Sequence, residues 1–474
     1  MIGRFLRNAP LQLFLQILIT VNLISPSQAV FPPDAADQAA TGYTDLLSRL
    51  NPNLPPTGAG IFVTQVEAAV NGNSFIDTSL VTGEFNGKTI IGLPGNSGIS
   101  NHANKVGRSF YGNLSFAPGI SNVHIYDADL WLDHGFLNFD NNALPPAVET
   151  RDIQNHSWVG SYENTADDNE ALQRLDMAIE RDGFLAIVGV DNGSATPLPN
   201  LLSNAYNTIS VGLSSGNSSS GKTTVGLDGS GRIKPDIVTP QSGVGDYSSF
   251  ATPWVSATSA LLLESNFGNL DAQQPESVKA AILAGATKTE FPSWSRSPTQ
   301  PIDLTYGAGE LNIDNAHRIL TSLQQEASSF SVVNPTGWDY DDISPTKALS
   351  YFFDVPTGST ADLSALVTWN RNVTFNSGIL TPEIADINLS FSSSIGFTPQ
   401  QLIDQSISGV DNIEHIYQTG LPEGRYVLEL SADSWTDFAI AWDARLISAI
   451  PEPGSLLLLL LGWIYLAIFG YRQR

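Results

Sequence analysis

Four short stretches set a hydroxyl, an imidazole, a carboxylate and a carboxamide beside apolar runs. Acyl transfer needs such a set: a nucleophile, a base beside it, an acid to orient the base, and donors for an oxyanion. The hydroxyl is Ser249 in "DYSSFATPWVSATSALLLE", Asp246 to Glu264. Pro253 is tolerated only near a helix start, and Val255 to Leu263 is apolar enough to be buried on most faces, so Ser249 is expected at or just before a helix N-terminus. Unpaired N–H groups and the helix dipole favour negative charge there, which suits either a capping serine or a nucleophile whose reaction develops an oxyanion. Taken alone, the stretch fits the cap better, because serine N-caps are common.

The imidazole is His102 in "SNHANKVGRSFYG", after the glycine-rich "GLPGNSG" and ahead of a short helical pattern; the other histidines among the 6 are less well placed. His124 lies within a strand pattern, His134 in an aromatic-rich segment, His156 at a strand end, His317 on a late helix and His415 far along the chain. Glu67 closes the apolar strand pattern "GAGIFVTQVEA", Gly58 to Ala68, where an unpaired charge is costly and a buried histidine would serve as partner. Asn192 in "VGVDNGS" also follows an apolar strand, although an Asn-Gly turn explains it better on its own.

Taken together and in order, these stretches resemble the subtilisin-like serine peptidases. "YSSFATP" matches the family's G-T-S-x-A-T-P, which puts Ser249 on the nucleophile; "HANKVGR" resembles H-G-T-H-V-A-G, which puts His102 on the catalytic histidine. "GAGIFVTQVEA" resembles the strand that ordinarily ends V-I-D-T-G, matching Glu67 to the catalytic acid, and "AIVGVDNG" matches Asn192 to the oxyanion-hole asparagine. "NAYNTISVG", "GRIKPDIVTPQSG" and "YGAGELNIDNA" resemble further family segments, and the likeness covers roughly Gly58 to Leu320. "NHSWVG" resembles the strand that pairs with extended substrate, so Ser157, Trp158, Val159 and Gly160 are expected to line the cleft and bind peptides as an added strand, with Asn155 structural.

The resemblance implies a serine endopeptidase acting on protein or peptide substrates through an acyl-enzyme, with a Glu67/His102/Ser249 triad and an Asn192 oxyanion hole. No cofactor and no metal-ligating residue is expected; structural calcium is common in the family, but no oxygen-ligand loop is identifiable in this sequence. Four positions depart from the pattern: Glu67 for aspartate, Tyr247 for glycine, Lys105 for a second histidine, and Asp191 for glycine. A glutamate can still accept from the imidazole, so activity is expected to be reduced and not absent. Asp191 is expected near the specificity pocket, where it would favour basic side chains. The same departures support an alternative: a catalytically impaired, peptidase-like surface protein serving as a binding or structural module of the cell envelope.

Positioning such residues calls for a framework of strands. Strand patterns at Asn122–Ala128, Asp152–Gly160, Phe184–Asn192 and Asn207–Ser215 alternate with helical ones, the clearest at Asn169–Gly183. This predicts an α/β domain over residues 58–322: a subtilisin-like, mostly parallel sheet with helices on both faces and ligands at the carboxyl ends of its strands. A loop segment, 30–57, precedes it. After a Ser/Gln/Pro-rich linker at 323–345, short strand patterns over 346–447 predict a smaller β-sandwich of about a hundred residues.

The chain has 474 residues, 42% hydrophobic, with 40 glycines and 28 prolines, which describes a loop-rich globular protein with a sizeable core. Its net charge of −25 argues against nucleic acid as a partner, and the absence of cysteine excludes disulfides and thiolate metal sites. Residues 1–29 read as a secretory signal peptide, with Arg4 and Arg7, an apolar core Leu11–Ile24 and a small-residue cleavage site at "SPSQA". Residues 450–474, "PEPGSLLLLLLGWIYLAIFGYRQR" from Pro451, resemble the PEP-CTERM sorting signal of Gram-negative bacteria: a Pro-Glu-Pro motif, a hydrophobic transmembrane helix and a basic tip. That likeness implies export across the inner membrane, transient anchoring by the helix, cutting by an exosortase-type sorting enzyme, and a final place at the cell surface or outside the cell.

Overall fold

A computed structural model describes residues 33–77, 83–93, 98–240 and 247–448; the expected signal peptide, the sorting signal and most of "GLPGNSG" lie outside them. Among the described residues no helix is long and apolar enough to cross a membrane. In chain order the first elements are α1 (Ala35–Ala40), α2 (Tyr43–Leu50), β1 (Phe62–Glu67), β2 (Thr89–Gly92), α3 (Asn101–Phe110), β3 (Asn122–Asp127), α4 (Ala128–Leu130) and β4 (Ile153–His156). There follow α5 (Thr165–Asp182), β5 (Leu185–Gly189), β6 (Ile209–Leu213), β7 (Gly221–Lys222), β8 (Ile233–Lys234), β9 (Ile237–Thr239), α6 (Ser248–Ser265), α7 (Pro275–Gly285) and α8 (Ile313–Leu320).

Seven strands form one sheet in the order β2-β3-β1-β4-β5-β6-β9, with every neighbouring pair parallel. Strand β5, "LAIVG", is apolar on both faces because both are covered: Leu185 and Ile187 join the core that contains α6, while Ala186 and Val188 join the core that contains α5. Helix α5 is capped by Asn164 and ends at Gly183, whose φ of 70° is the left-handed turn that glycine adopts without strain. The chain leaves β1 towards one edge of the sheet and leaves β4 towards the other, so the crevice between their carboxyl ends is the topological switch point where such sheets bind ligands. Val66 pairs with His156, which brings Glu67 level with Ser157 at the mouth of that crevice.

The second domain holds β10 (Thr336–Ile343), β11 (Leu349–Val355), β12 (Ser359–Thr368), β13 (Asn372–Asn376), β14 (Ile379–Glu383), β15 (Ile387–Ile395), β16 (Thr398–Ser406), β17 (Ile413–Leu421), β18 (Gly424–Ala432) and β19 (Thr436–Ser448). Two four-stranded antiparallel sheets, β10-β19-β12-β17 and β11-β18-β15-β16, face each other over a core that includes Tyr351, Phe353, Trp369, Phe391, Tyr426 and Trp442. This is the predicted sandwich, with one correction. The stretch expected as linker contains β10, whose Trp338 and Ile343 are buried; Pro335, Pro345 and the acids Asp339, Asp341 and Asp342 hide its strand character in the sequence.

The sandwich is joined to the first domain by a continuous core in which Trp338, Leu366, Ile413, Ala439 and Ala441 pack with residues of α6, α7 and α8. Arg371, buried, pairs with Asp176 of α5 at 2.7 Å and with Asp228 at 2.5 Å, and its N–H donates to Asn207 Oδ1 at 2.7 Å. Lys288 is also buried at this junction, donating to Ala286 O at 2.8 Å and Ser364 Oγ at 3.1 Å, and burial pushes its pKa down from 10.5 to about 7. The unfolded chain holds that proton up to about pH 10.5. The destabilisation is therefore complete below about pH 7 and fades as the pH rises towards 10.5. Lys288→Met is expected to raise the thermal midpoint by more at pH 6 than near pH 10; equal shifts at both would contradict this.

Candidate active site

Glu67 ends β1 with no solvent exposure. Its Oε2 lies 2.7 Å from His102 Nδ1, and its Oε1 accepts from Gln65 Nε2 at 2.7 Å. The partner that a buried carboxylate demands is thus the histidine anticipated from the sequence. His102 is the second residue of α3, whose N-cap Ser100 accepts from Ala103 N at 3.3 Å. With Nδ1 turned to the carboxylate, Nε2 is the nitrogen left for proton transfer. The side chain is 20% exposed, enough to be reached from the crevice.

Helix α6 begins at Ser248, with Tyr247 as its N-cap and no side-chain cap. Ser249 is therefore the second residue inside the helix and half-buried, so the capping reading does not hold. The helix begins earlier than the first-turn proline had implied. Pro253 sits inside it, and because proline has no N–H the Ser249 carbonyl is left without the usual intrahelical donor. Every side chain from Phe250 to Leu263 is buried, as expected of the apolar run. At its far end Glu264 Oε2 accepts from the N–H groups of Thr57, Gly58 and Ala59 at 2.5, 2.6 and 3.2 Å, which pins the turn leading into β1. One helix thus carries Ser249 and anchors the strand that carries Glu67.

Asn192 follows β5. Its Oδ1 accepts from Ser248 N at 2.8 Å and from Ser248 Oγ at 3.2 Å, and Ser248 Oγ also donates to Val190 O. Because the backbone N–H requires an acceptor, the amide orientation is fixed, and Nδ2 is left as a donor beside the start of α6. The hydrogen-bonded turn falls one step later than an Asn-Gly turn would: Thr196 N donates to Gly193 O at 3.0 Å around Ser194 and Ala195, and Gly193 has φ 92°. Gly189 is needed for the close approach of β5 to α6, since a Cβ there would stand 2.9 Å from Thr252 Oγ1.

His102 reaches α6 through Phe250, the residue after Ser249, with ring centroids 5.5 Å apart. No hydrogen bond joins His102 to Ser249 among the described residues, and in enzymes without substrate such contacts are commonly long, tightening only in the complex. Tyr247 has φ −124°, so the backbone there does not require the family's glycine, and its ring packs edge-on against Phe250 at 5.9 Å. Lys105 lies over the same ring, 5.6 Å from its centroid. Asp191 accepts from Asn192 N at 2.7 Å, and burial raises its pKa.

Strand β4 stops at His156, short of the expected Gly160, so Ser157, Trp158 and Val159 extend beyond the sheet at the crevice, while Gly160 O accepts from Leu201 N at 3.0 Å. Ser157 and Trp158 are buried; Val159 and Gly160 are partly exposed. Asn155 is structural, accepting from Ser256 Oγ at 2.9 Å and donating to Ser157 Oγ at 3.0 Å at full burial. Among the other histidines, burial lowers the pKa of His156 to about 3, and burial together with Arg49 lowers that of His317 to about 4. His415 is buried at the sandwich junction, 3.2 Å from Ser364 Oγ. Sequence reasoning missed Gln65 and Tyr111, behind Glu67, and Glu264, behind β1. The one signal for Gln65 was a polar residue inside an apolar run, two positions before Glu67 and so on the same strand face.

No curated protein matches the chain. Among solved structures, it is similar to the prenylagaramide maturation protease PagA (TM-score 0.41, 21% identity, 59% of this chain and 99% of that one). It is similar also to the patellamide maturation protease PatA (0.40, 19%, 56% and 98%). A serine protease of Aeromonas sobria gives a TM-score of 0.35 at 12% identity, over 82% of this chain and 89% of that one. A family model described as the subtilase family, Peptidase_S8, matches residues 121–309, a segment that takes in Asn192 and Ser249 but begins after Glu67 and His102.

Proposed function

We propose that the chain is an exported serine endopeptidase with Glu67, His102 and Ser249 as its triad. Glu67 orients His102, His102 takes the proton from Ser249, and the serine oxygen attacks the peptide carbonyl. Asn192 Nδ2 and the Ser249 N–H stabilise the oxyanion, His102 returns the proton to the leaving amine, and water hydrolyses the acyl-enzyme. No cofactor takes part. Extended peptide lies along Ser157, Trp158, Val159 and Gly160. The C-terminal segment serves as a transient membrane anchor and as the substrate of a sorting enzyme of the exosortase type, and the released or re-attached protein works at the cell surface or outside the cell.

The observation that carries this reading is the 2.7 Å contact between His102 and a carboxylate with no solvent exposure, at the switch point of a parallel sheet. It is tested by incubating purified residues 30–450 with an unfolded protein. Fragments are expected; intact substrate alongside a folded protein would favour the peptidase-like binding module.

Two further outcomes follow from the site. Asn192→Ala is expected to lower kcat by about 10²–10³ with KM little changed, the usual effect of losing one oxyanion donor; an unchanged kcat would remove Asn192 from that role. Asp191 is expected to favour Lys or Arg next to the scissile bond, a preference that Asp191→Asn should weaken. A cleavage profile with no basic preference in the wild type would discard it.

A further inference from the structure

Resting on the triad just proposed, we infer that Gln65 and Tyr111 are positioning residues, forming a buried hydrogen-bond chain that holds Glu67 in the one orientation from which it can serve His102. Gln65 Nε2 donates to Glu67 Oε1 at 2.7 Å and to Ala103 O at 3.0 Å, and Gln65 Oε1 accepts from Tyr111 Oη at 2.6 Å. Both amide hydrogens are used, so the carbonyl oxygen must face Tyr111 and the phenol must donate; the amide cannot be flipped without losing three contacts. Gln65, Glu67 and Tyr111 are all fully buried.

The two ends of this chain lie on one helix. His102 stands at the start of α3 and Tyr111 is its C-cap, while Gln65 and Glu67 share a face of β1, so the hydrogen bonds close a ring that clasps strand to helix. Room for the ring comes from Gly107: a Cβ there would stand 2.6 Å from Tyr111 Oη and 3.3 Å from Gln65 Oε1. Burial, with Glu67 nearby, holds the Tyr111 hydroxyl well above its ordinary pKa, so it remains a donor at any working pH.

A glutamate has one more rotatable bond than an aspartate and must be held more firmly to present the same oxygen to an imidazole. Here Oε1 is claimed by Gln65 and Oε2 by His102, which leaves the carboxylate no other arrangement in the ring. If the ring served only to pack β1 against α3, apolar side chains would do so without the desolvation that buried polar groups require.

The test uses Gln65→Glu and Tyr111→Phe in the full chain. A glutamic acid at 65 can donate its single proton to Glu67 and accept from Tyr111, so activity is expected to stay within about threefold of wild type at low pH. As the pH rises and the paired carboxyl groups lose that proton, kcat should fall by about tenfold or more, giving an alkaline limb absent from the wild type. Tyr111→Phe is expected to lower kcat about tenfold with KM within about twofold. The Nδ1 proton resonance of His102, read by NMR without turnover, should shift in both variants, and in Gln65→Glu the shift should depend on pH. A pH-independent loss in Gln65→Glu, or an unchanged kcat and an unmoved resonance in both variants, overturns the inference. Ser249→Ala separates it from the reading beneath: an active Ser249→Ala defeats the serine-peptidase assignment itself, whereas an inactive one beside unaffected Gln65→Glu and Tyr111→Phe defeats only the positioning role.

Discussion

Ser249→Ala is expected to lower kcat by about 10⁶ while leaving the thermal midpoint within a few degrees of wild type. The size follows from the chemistry: without the hydroxyl no acyl-enzyme forms, and what survives is the modest acceleration from oxyanion stabilisation and substrate binding. The stability expectation follows from position. Ser249 is half-buried at the second residue of α6 and does not cap the helix, so alanine removes no fold-bearing bond of the N-cap kind. Ser248 is the informative control. It is buried, and its hydroxyl donates to Val190 O. Ser248→Ala should therefore retain measurable turnover, and a result in which Ser248→Ala is dead and Ser249→Ala is active would move the nucleophile by one residue.

Glu67→Gln is expected to lower kcat by about 10³–10⁴ with the fold retained. The amide at 67 cannot satisfy both of its neighbours as the carboxylate does. Gln65 Nε2 already donates to Oε1, so the new side chain must present its oxygen there and its NH₂ to His102 Nδ1. Nδ1 then has to be an acceptor, which puts the imidazole proton on Nε2, the nitrogen needed to take the proton from Ser249. The wrong tautomer and the lost stabilisation of the imidazolium act in the same direction. The variant is to be assayed by kcat beside its unfolding curve; a rate equal to wild type in a folded protein would eliminate Glu67 as the orienting acid.

Much of the framework was legible because it is written in long patterns. "FLAIVGVDN" is apolar at every other position on both faces, so it must be a doubly covered parallel strand, and β5 lies within it. "NEALQRLDMAIERDG" ends in a glycine that adopts the left-handed cap the pattern calls for. What escaped was local and polar. β16, "TPQQLIDQS", is mostly exposed and reads as loop because exposure removes the alternation, and β10 is masked by its acids and flanking prolines. The β13–β14 hairpin did carry a signal: Ser377 and Gly378, with φ 51° and 86°, form the two-residue turn that a Ser-Gly pair between short strand patterns announces.

The site divides in the same way. Glu67 at the end of a buried strand demanded a partner by desolvation alone, and His102 stands 2.7 Å away. The Asn192–Ser248 contact depends on where β5 delivers its last residue relative to α6, which no local pattern encodes. The Gln65–Tyr111 chain depends on the register of β1 against α3. Tyr247 stood out in the sequence as a residue in glycine's place; with φ −124° it occupies a conformation open to any side chain, and its ring joins Phe250 and Val106 in a small apolar cluster beside His102.

Ser249, and not its neighbour Ser248, is expected to react as an activated nucleophile. The most direct measurement is to treat the folded protein with a fluorophosphonate and locate the adduct by tandem mass spectrometry on the peptide spanning Tyr247 to Pro253. One adduct is expected, on Ser249, which disappears in Ser249→Ala and is strongly slowed in Glu67→Gln. A folded wild-type protein that takes up no label, or that carries it elsewhere, would show that Ser249 is not the nucleophile.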